Sequence, residues 1–387
     1  MKFFSIQSMK MIIAITFPHL YTLYGIIIAF VCFSVLLAQY YRSEKLLHFL
    51  CTVCAITAIY LPIFLKYHCG YTRFADASVS VFSAVTGFLF ALKIVELAFA
   101  YSWSKQQQIT IKQILIDFST FPKYKYEEER LSSWQTPSIN PTLFDQVKYL
   151  LFNADENQFS ARRENLLLII RGLFQLFYLR ILLHFIPYSV LRLHSRTANL
   201  FTLAHFLTYS LYGFIVYFAL GMVINVIFGL MGWIWNIRVR TIYPDYPFLP
   251  VSLHDFWSRR WNIYVKTILH RIAFFALPKL TGFKEKSNAK IISAGIFAFV
   301  VSGLLHEFMY TVSMNRWSGG KNMLFFLLHG MFVAIELILK TFLHRKQLLP
   351  PLLGWIYTIA ALYFTGYLFV DPWIESDCFA ALKTHLG

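Results

Sequence analysis

The sequence predicts an all-α protein that crosses a membrane about eight times, with one further helix that lies in the membrane interface or re-enters the bilayer. Three observations lead to this prediction. Of the 387 residues, 58% are hydrophobic and only 14% are charged, whereas soluble domains carry about 45–50% apolar and about 25% charged residues. The mean hydropathy is +0.56. Apolar runs of about 20 residues, the length that spans a bilayer, recur along the chain.

The eight predicted spans form two groups. Five precede a basic segment rich in aromatic residues, 236–290: these spans are 20–40, 46–67, 79–101, 166–187 and 200–233. Three follow it: 291–314, 322–344 and 352–370. A ninth apolar stretch, 263–280, contains Lys266 and Arg271. Because charged side chains are costly in hydrocarbon, we interpret this stretch as an interfacial or re-entrant helix. If it crossed the membrane instead, the orientation of every later span and loop would be reversed.

The sequence predicts a single membrane-embedded domain over 1–387, with two polar segments on its cytosolic side. The segments are 102–163, a predicted cytosolic loop, and 236–290. The formal net charge is +16, and counting Lys and Arg near the spans places both segments in the cytosol. Nucleic-acid binding is excluded as a function because the chain lacks a soluble basic module.

Several kinds of chemistry are absent from the sequence. The closest two histidines, His184 and His194, are ten residues apart, so the clustered His boxes of membrane iron enzymes are missing. No G-x-S-x-G elbow of a serine hydrolase is present. Cys51 and Cys54 form a C-x-x-C in an apolar run without a second ligand pair, so we interpret them as packing residues and predict no metal site.

The first motif is P-V-S-L-H-D-F-W-S-R-R-W-N over residues 250–262. Ser252 and Asp255 have the spacing of a capping box, which predicts a helix that starts here. One predicted helix face carries Asp255, Arg259 and Asn262, and another carries Trp257, Arg260 and Trp261. A second interpretation stays open, in which Trp anchors an interfacial helix and Arg binds lipid phosphate.

The second motif is V-V-S-G-L-L-H-E over residues 300–307. It places His306 and Glu307 at the end of fifteen uncharged residues inside a predicted span. Ionisable groups in a membrane usually face a cavity, and an imidazole has a pKa that suits a general base near pH 7. A packing histidine bonded to a neighbouring carbonyl is the alternative. The region 236–320 thus carries both motifs.

Polar residues inside other spans are predicted to be structural. His329, Glu336 and Lys340 fall on one stripe of a helix, and Glu336 and Lys340 have the i,i+4 order that favours an ion pair. Lys93 and Glu96 form a similar predicted pair.

The two motifs together resemble the wax synthase-like branch of the membrane-bound O-acyltransferases. "SLHDFWSRRWN" is similar to the F-W-x-R-W-N signature of that branch, and "VSGLLHE" is similar to its histidine motif. Both lie in the last 140 residues, in the order and the apolar setting of the family. The first half of the chain resembles the family only in being hydrophobic with a polar loop.

The resemblance implies an enzyme of the endoplasmic reticulum membrane that moves an acyl group from acyl-CoA to a hydroxyl. It implies that His306 is the catalytic base and that Asn262 is its partner or holds the donor. Substrate-binding residues would be Asp255, Trp257, Arg259, Arg260 and Trp261. Acyl-CoA is then a co-substrate and no cofactor is needed. The acceptor, a lipid alcohol, sterol or hydroxylated metabolite, stays open, and a transporter or lipid-handling protein without chemistry is the alternative class.

Overall fold

The computed structural model describes residues 6–68, 74–100, 103–120, 161–191, 202–276, 288–345 and 347–386. Every regular element in these ranges is a helix, as expected for an all-α chain. Most of the predicted cytosolic loop, residues 121–160, lies outside the described residues.

Fourteen helices follow one another along the described chain. The first seven are α1 (Ile6–Tyr40), α2 (Glu44–His68), α3 (Phe74–Val95, extended by a π-helical turn, Glu96–Ala100), α4 (Trp103–Gln106), α5 (Ile111–Thr120), α6 (Ala161–Phe185) and α7 (Tyr188–Leu191). The others are α8 (Leu203–Trp235), α9 (Leu253–Asp255, extended by a π-helical turn, Phe256–Arg260), α10 (Ile263–Arg271, extended by a π-helical turn, Ile272–Ala276), α11 (Asn288–Met314), α12 (Lys321–Phe342), α13 (Pro351–Glu375) and α14 (Cys378–Leu386).

Eight of these helices are long and apolar enough to cross a membrane. They are α1, α2, α3, α6, α8, α11, α12 and α13. All eight predicted spans are therefore confirmed as helices. The fifth is one continuous helix of 33 residues.

The ninth apolar stretch is shorter than a span in the described chain. α10 has nine residues and its π-helical turn has five, whereas a crossing helix needs about 20. Residues 277–280 lie outside the described ranges. The interfacial or re-entrant placement of this stretch therefore stays a prediction.

The chain divides into two compact units, one of residues 1–118 and 268–323 and the other of residues 119–267 and 324–387. In the first unit, α2 packs against α1 and α3, and α11 packs against α3. Tyr24 in α1 donates to the carbonyl of Ser83 in α3 at 2.9 Å, which ties two spans where no water competes for the bond.

The predicted pair of Lys93 and Glu96 is confirmed in the first unit, with Nζ and Oε2 2.9 Å apart. The sequence did not show that Arg271 shares this carboxylate, with its Nη1 2.6 Å from Glu96 Oε1. Glu96 is 1% exposed. A buried carboxylate needs such compensation, so these cations explain how it is tolerated in an apolar helix.

In the second unit, α6 lies along α8, and small residues allow the close approach. A Cβ on Gly172 would lie 2.6 Å from Val226 Cγ2, so only glycine fits there. A buried amide pair also joins the helices, since Asn225 Nδ2 donates to Gln175 Oε1 at 2.9 Å. Small residues and polar bonds of this kind hold helices together in membranes.

The same two helices hold the irregular segment that leads to the first motif. α8 ends at Trp235 and is capped by Asn236, whose φ of 52° is left-handed. Asn165 in α6 then donates to the carbonyl of Ile237 at 2.7 Å and accepts from the N–H of Val239 at 3.3 Å. These bonds replace the partners that backbone groups lose outside regular structure.

Candidate active site

The first motif begins with the predicted helix cap. Ser252 has extended backbone angles, and its side chain accepts from the N–H of Asp255 at 3.1 Å. Asp255 in turn accepts from the N–H of Val251 at 3.1 Å. The predicted helix start is confirmed, with the return bond reaching one residue further back than in the standard capping box.

The predicted helix faces of this motif are wrong. The α-helix lasts only from Leu253 to Asp255 and then widens into the π-helical turn, closed by the bond from Trp261 N–H to Phe256 carbonyl at 2.9 Å. In a π turn, residues five apart are bonded instead of four. Regular α-helical spacing therefore fails from Phe256 onward.

The π turn brings both arginines onto Asp255. Arg259 Nη2 lies 2.5 Å from Asp255 Oδ1, and Arg260 Nε lies 2.6 Å from Oδ2. The prediction that placed Arg260 on a separate face, with Trp257 and Trp261, is corrected. That prediction assumed the 3.6 residues per turn of an α-helix, and the wider π turn breaks that spacing.

Asp255 is 2% exposed and is the electrostatic centre of the turn. Burial by itself disfavours its charge, but the N–H of Val251 and the two guanidinium groups outweigh burial and hold the pKa of this carboxyl below its usual value. The two arginines differ in their hydrogen bonding and exposure. Arg260 also donates to the carbonyl of Tyr246 at 2.9 Å, whereas the Arg259 side chain is 63% exposed. Arg259 is therefore the better placed of the two to meet an anionic ligand.

The two tryptophans of the motif pack against different neighbours. Trp261 stacks on Phe256, with ring centroids 5.6 Å apart, and lies 5.2 Å from the ring of Tyr243. Trp257 instead donates its indole N–H to His329 Nδ1 at 3.1 Å. Each indole is thus fixed by the protein on at least one side.

Asn262 does not continue the motif helix. Its φ is 42°, and its Oδ1 accepts from the N–H of Val265 at 3.2 Å, so it caps the start of α10. Asparagine suits both tasks, because it tolerates left-handed backbone and is among the best N-cap residues. The predicted face that joined Asn262 to Asp255 and Arg259 is therefore wrong. The cap uses the amide oxygen and leaves the Nδ2 group for another partner.

His306 lies in α11, in the compact unit that does not contain the first motif. The side chain is partly buried. The next residue, Glu307, is held by the loop that follows the helix, because Ser318 donates its hydroxyl to Glu307 Oε1 at 2.7 Å and its N–H at 3.2 Å. This clasp fixes the helix turn from which His306 projects.

The polar stripe of α12, formed by His329, Glu336 and Lys340, is confirmed and makes more contacts than predicted. Lys340 Nζ lies 2.5 Å from Glu336 Oε1, and His329 Nε2 lies 2.8 Å from Thr365 Oγ1 in α13. The sequence did not show that the stripe also holds residues 253–260, called the motif turn from here on. His329 accepts from the indole N–H of Trp257, and Glu336 accepts from the backbone N–H of His254. The stripe itself was the available signal, since three polar residues on one face of an apolar span need partners.

A family model covers the segment that contains both motifs. Residues 243–328 match the model of the "Membrane bound O-acyl transferase family". This range includes the motif turn and His306.

Curated plant proteins are similar to part of the chain. A "Probable long-chain-alcohol O-fatty-acyltransferase 7" of Arabidopsis thaliana is 34% identical over 134 residues, which are 34% of this chain and 39% of that protein. The "Long-chain-alcohol O-fatty-acyltransferase" of Simmondsia chinensis is 29% identical over 137 residues, 35% of this chain and 39% of that protein. "Acyl-CoA--sterol O-acyltransferase 1" of Arabidopsis thaliana is 26% identical over 157 residues, 41% of this chain and 45% of that protein.

These matches span about two fifths of the length of the curated relatives. They confirm the resemblance to the wax synthase-like branch of the membrane-bound O-acyltransferases that the two motifs predicted. With the eight apolar helices, they identify the chain as an integral, multi-pass membrane protein.

Proposed function

We propose that this chain, which resembles the membrane-bound O-acyltransferases in the segment of both its motifs, transfers an acyl group from acyl-CoA to a hydroxyl. The observation that carries the proposal is the position of the family match. It covers 243–328, the range in which a buried carboxylate gathers two arginines and a histidine lies inside a span.

In the proposed reaction, the hydroxyl oxygen of the acceptor attacks the thioester carbonyl. The imidazole of His306 takes the hydroxyl proton as the C–O bond forms, a contribution of about 10²–10⁴-fold for a general base. The C–S bond then breaks, and the proton passes from the imidazolium to the departing CoA thiolate. Since a thiol with a pKa near 8.5 is a good leaving group, the reaction needs no covalent enzyme intermediate.

The motif turn is proposed to serve the acyl donor. Arg259 offers an exposed guanidinium that is oriented by Asp255. One guanidinium group can donate two parallel hydrogen bonds to the oxygens of a phosphate. The Nδ2 group of Asn262 is proposed to donate to the oxyanion of the tetrahedral intermediate, since the capping bond uses only its oxygen. Trp257 and Trp261 complete the turn.

The acceptor is proposed to be a lipid alcohol or a sterol, because the similar plant proteins are named for transfer to a long-chain alcohol or to a sterol. The protein is expected in the endoplasmic reticulum membrane, where a fluorescent fusion should coincide with a marker of that membrane.

The test is an acyl-transfer assay on purified protein in lipid nanodiscs. Radiolabelled palmitoyl-CoA is supplied with hexadecanol or with a sterol, and both ester formation and free CoA thiol are measured. We expect equal amounts of ester and thiol, and a rate at least about 100-fold lower for both products with the His306→Ala variant. Absence of both products across acceptors and acyl chain lengths would contradict the proposal and favour a membrane protein that handles lipids without chemistry.

A further inference from the structure

We infer that His329 is a positioning residue that fixes the Trp257 indole, and with it the motif turn, through a hydrogen-bond chain of defined direction. The inference deepens the proposed function and rests on it, since the turn is proposed to bind the acyl donor.

The chain of bonds runs from the motif into two spans of the second unit. Trp257 Nε1 lies 3.1 Å from His329 Nδ1, and His329 Nε2 lies 2.8 Å from Thr365 Oγ1. Thr365 in turn donates to the carbonyl of Ala361 at 2.7 Å. His329 is 0% exposed, so water does not compete for either ring nitrogen.

The direction of every bond follows from the first donor. An indole N–H only donates, so Nδ1 of His329 must be the accepting nitrogen. A neutral imidazole then carries its proton on Nε2 and donates it to Thr365, whose own hydroxyl proton goes to Ala361. A protonated His329 would set an N–H against the indole N–H. The network therefore selects the neutral Nε2–H tautomer.

Both nitrogens of His329 are engaged within the protein, which distinguishes it from a general base. A base needs a lone pair that faces the substrate proton, and the lone pair of His329 faces Trp257. Its role is therefore to hold another residue in place.

Aromatic rings surround this bond. The ring centroid of Phe325 lies 4.4 Å from that of His329, and Phe326 lies 5.8 Å from Trp257. In such a dry setting a hydrogen bond is strong and an unpaired N–H is costly. His329 Nδ1 is thus the hydrogen-bond acceptor that orients the indole N–H, and Arg259 lies only two residues further along the same π turn.

Two substitutions of His329 separate this role from simple packing. His329→Asn keeps an acceptor near the position of Nδ1, whereas His329→Gln keeps a donor near the position of Nε2. Loss of a buried bond corresponds to about tenfold in a binding constant. We expect His329→Asn to keep the KM for acyl-CoA within about threefold and His329→Gln to raise it at least about tenfold, with a smaller change in kcat for both.

Trp257→Phe removes the donor of the same hydrogen bond and provides a second test if His329→Asn does not fold. Combined with His329→Gln, it should impair the KM for acyl-CoA no more than the worse single variant, because each change breaks the same contact. Additive losses, or a His329→Gln variant that performs as well as His329→Asn, would overturn the inference and assign His329 to the joining of α12 and α13.

A readout without catalysis separates this inference from the proposed function. In protein labelled with ¹⁵N-tryptophan, the Trp257 indole N–H resonance is identified by its loss in Trp257→Phe. We expect a downfield, hydrogen-bonded shift that His329→Asn keeps and His329→Gln removes. If the wild-type protein transfers no acyl group, the proposed function fails while this spectrum still decides the bond. An unchanged shift in His329→Gln overturns the positioning role.

Discussion

Glu336 holds the backbone of His254, since its Oε2 accepts the His254 N–H at 3.1 Å while its Oε1 lies 2.5 Å from Lys340 Nζ. One carboxylate in a span thus bonds both to a lysine of its own helix and to the first turn of the segment that carries the first motif. Glu336 is 5% exposed, so neither partner is readily replaced by water.

Substitution of Glu336 should therefore reduce stability by two routes. Glu336→Ala leaves the Lys340 ammonium and the His254 N–H without their acceptor, and breaking a buried pair costs about 3–5 kcal/mol. Glu336→Gln keeps an acceptor for the N–H and should lose less. Thermal unfolding in detergent measures the order, with Asp245→Asn, an exposed acid, as a control that should unfold like wild type. Equal unfolding temperatures for Glu336→Ala and the control would contradict the prediction that Glu336 stabilises the protein.

His306→Ala should lower kcat at least about 100-fold, the lower range for a lost general base. The variant should still elute as a single species and bind acyl-CoA, since the proposed donor contacts lie in the motif turn. His184→Ala removes an exposed histidine from α6 and is expected to retain full activity. Activity of His306→Ala above about a tenth of wild type would exclude His306 as the base.

Asn262 has two roles in our proposal, and substitutions separate them. Asn262→Asp keeps the oxygen that caps α10 but removes the amide donor proposed for the oxyanion. Asn262→Ala removes both, and loss of an N-cap costs about 1 kcal/mol. We expect kcat to fall in both variants and the unfolding temperature to fall only with Ala. Wild-type turnover in Asn262→Asp would show that the residue only caps a helix.

The sequence predicted the spans well because their signal is a property of many residues together. No single substitution would hide the apolar run that forms α8 or α11. The geometry of the motif turn was harder to predict, since it depends on which groups bond to Asp255. Two arginines converge on that carboxylate through a π turn, and the sequence around Arg259 and Arg260 does not distinguish a π turn from an α-helix.

Bonds between distant residues were also beyond the sequence. The polar stripe of α12 was visible from spacing, but spacing relates residues of one helix only. That His329 meets Trp257, and that Arg271 meets Glu96, depends on how separate helices pack. Asn262 was misplaced for a related reason, because a left-handed residue ends the helical periodicity on which the prediction relied.

The pH dependence of stability should include a contribution from His254. Burial lowers the pKa of this imidazole below its ordinary value of 6.5, Lys340 acts in the same direction, and Glu336 opposes them. The unfolded chain therefore binds the proton more readily. The stabilisation is fully present above about pH 6.5 and is lost as the pH falls from there toward the folded pKa.

His254→Gln should accordingly flatten the fall in unfolding temperature between about pH 7.5 and pH 5.5. His184→Gln, which removes an exposed imidazole, is the matched control and should follow the wild-type curve. A fall in His254→Gln as steep as in wild type would assign the acid sensitivity to other groups.

Two fully buried asparagines should respond to the same substitution with opposite signs. Asn322 is 0% exposed, and neither side-chain atom has a hydrogen-bond partner among the described residues. Asn225 is equally buried but is bonded to Gln175 and Thr241. An unsatisfied buried polar group costs about 1–3 kcal/mol. Asn322→Leu should therefore raise the unfolding temperature and Asn225→Leu should lower it, and a loss of stability in both would contradict the assignment.

The 33 residues of α8 have a consequence for the lipid around the protein. At about 1.5 Å per residue the helix is about 50 Å long, whereas the hydrocarbon layer is about 30 Å thick. The excess either tilts the helix or carries its end into the headgroups. The irregular segment that leads to the motif turn begins at that end, at Asn236. We therefore expect bilayer thickness to influence the depth at which the motif turn lies relative to the headgroups.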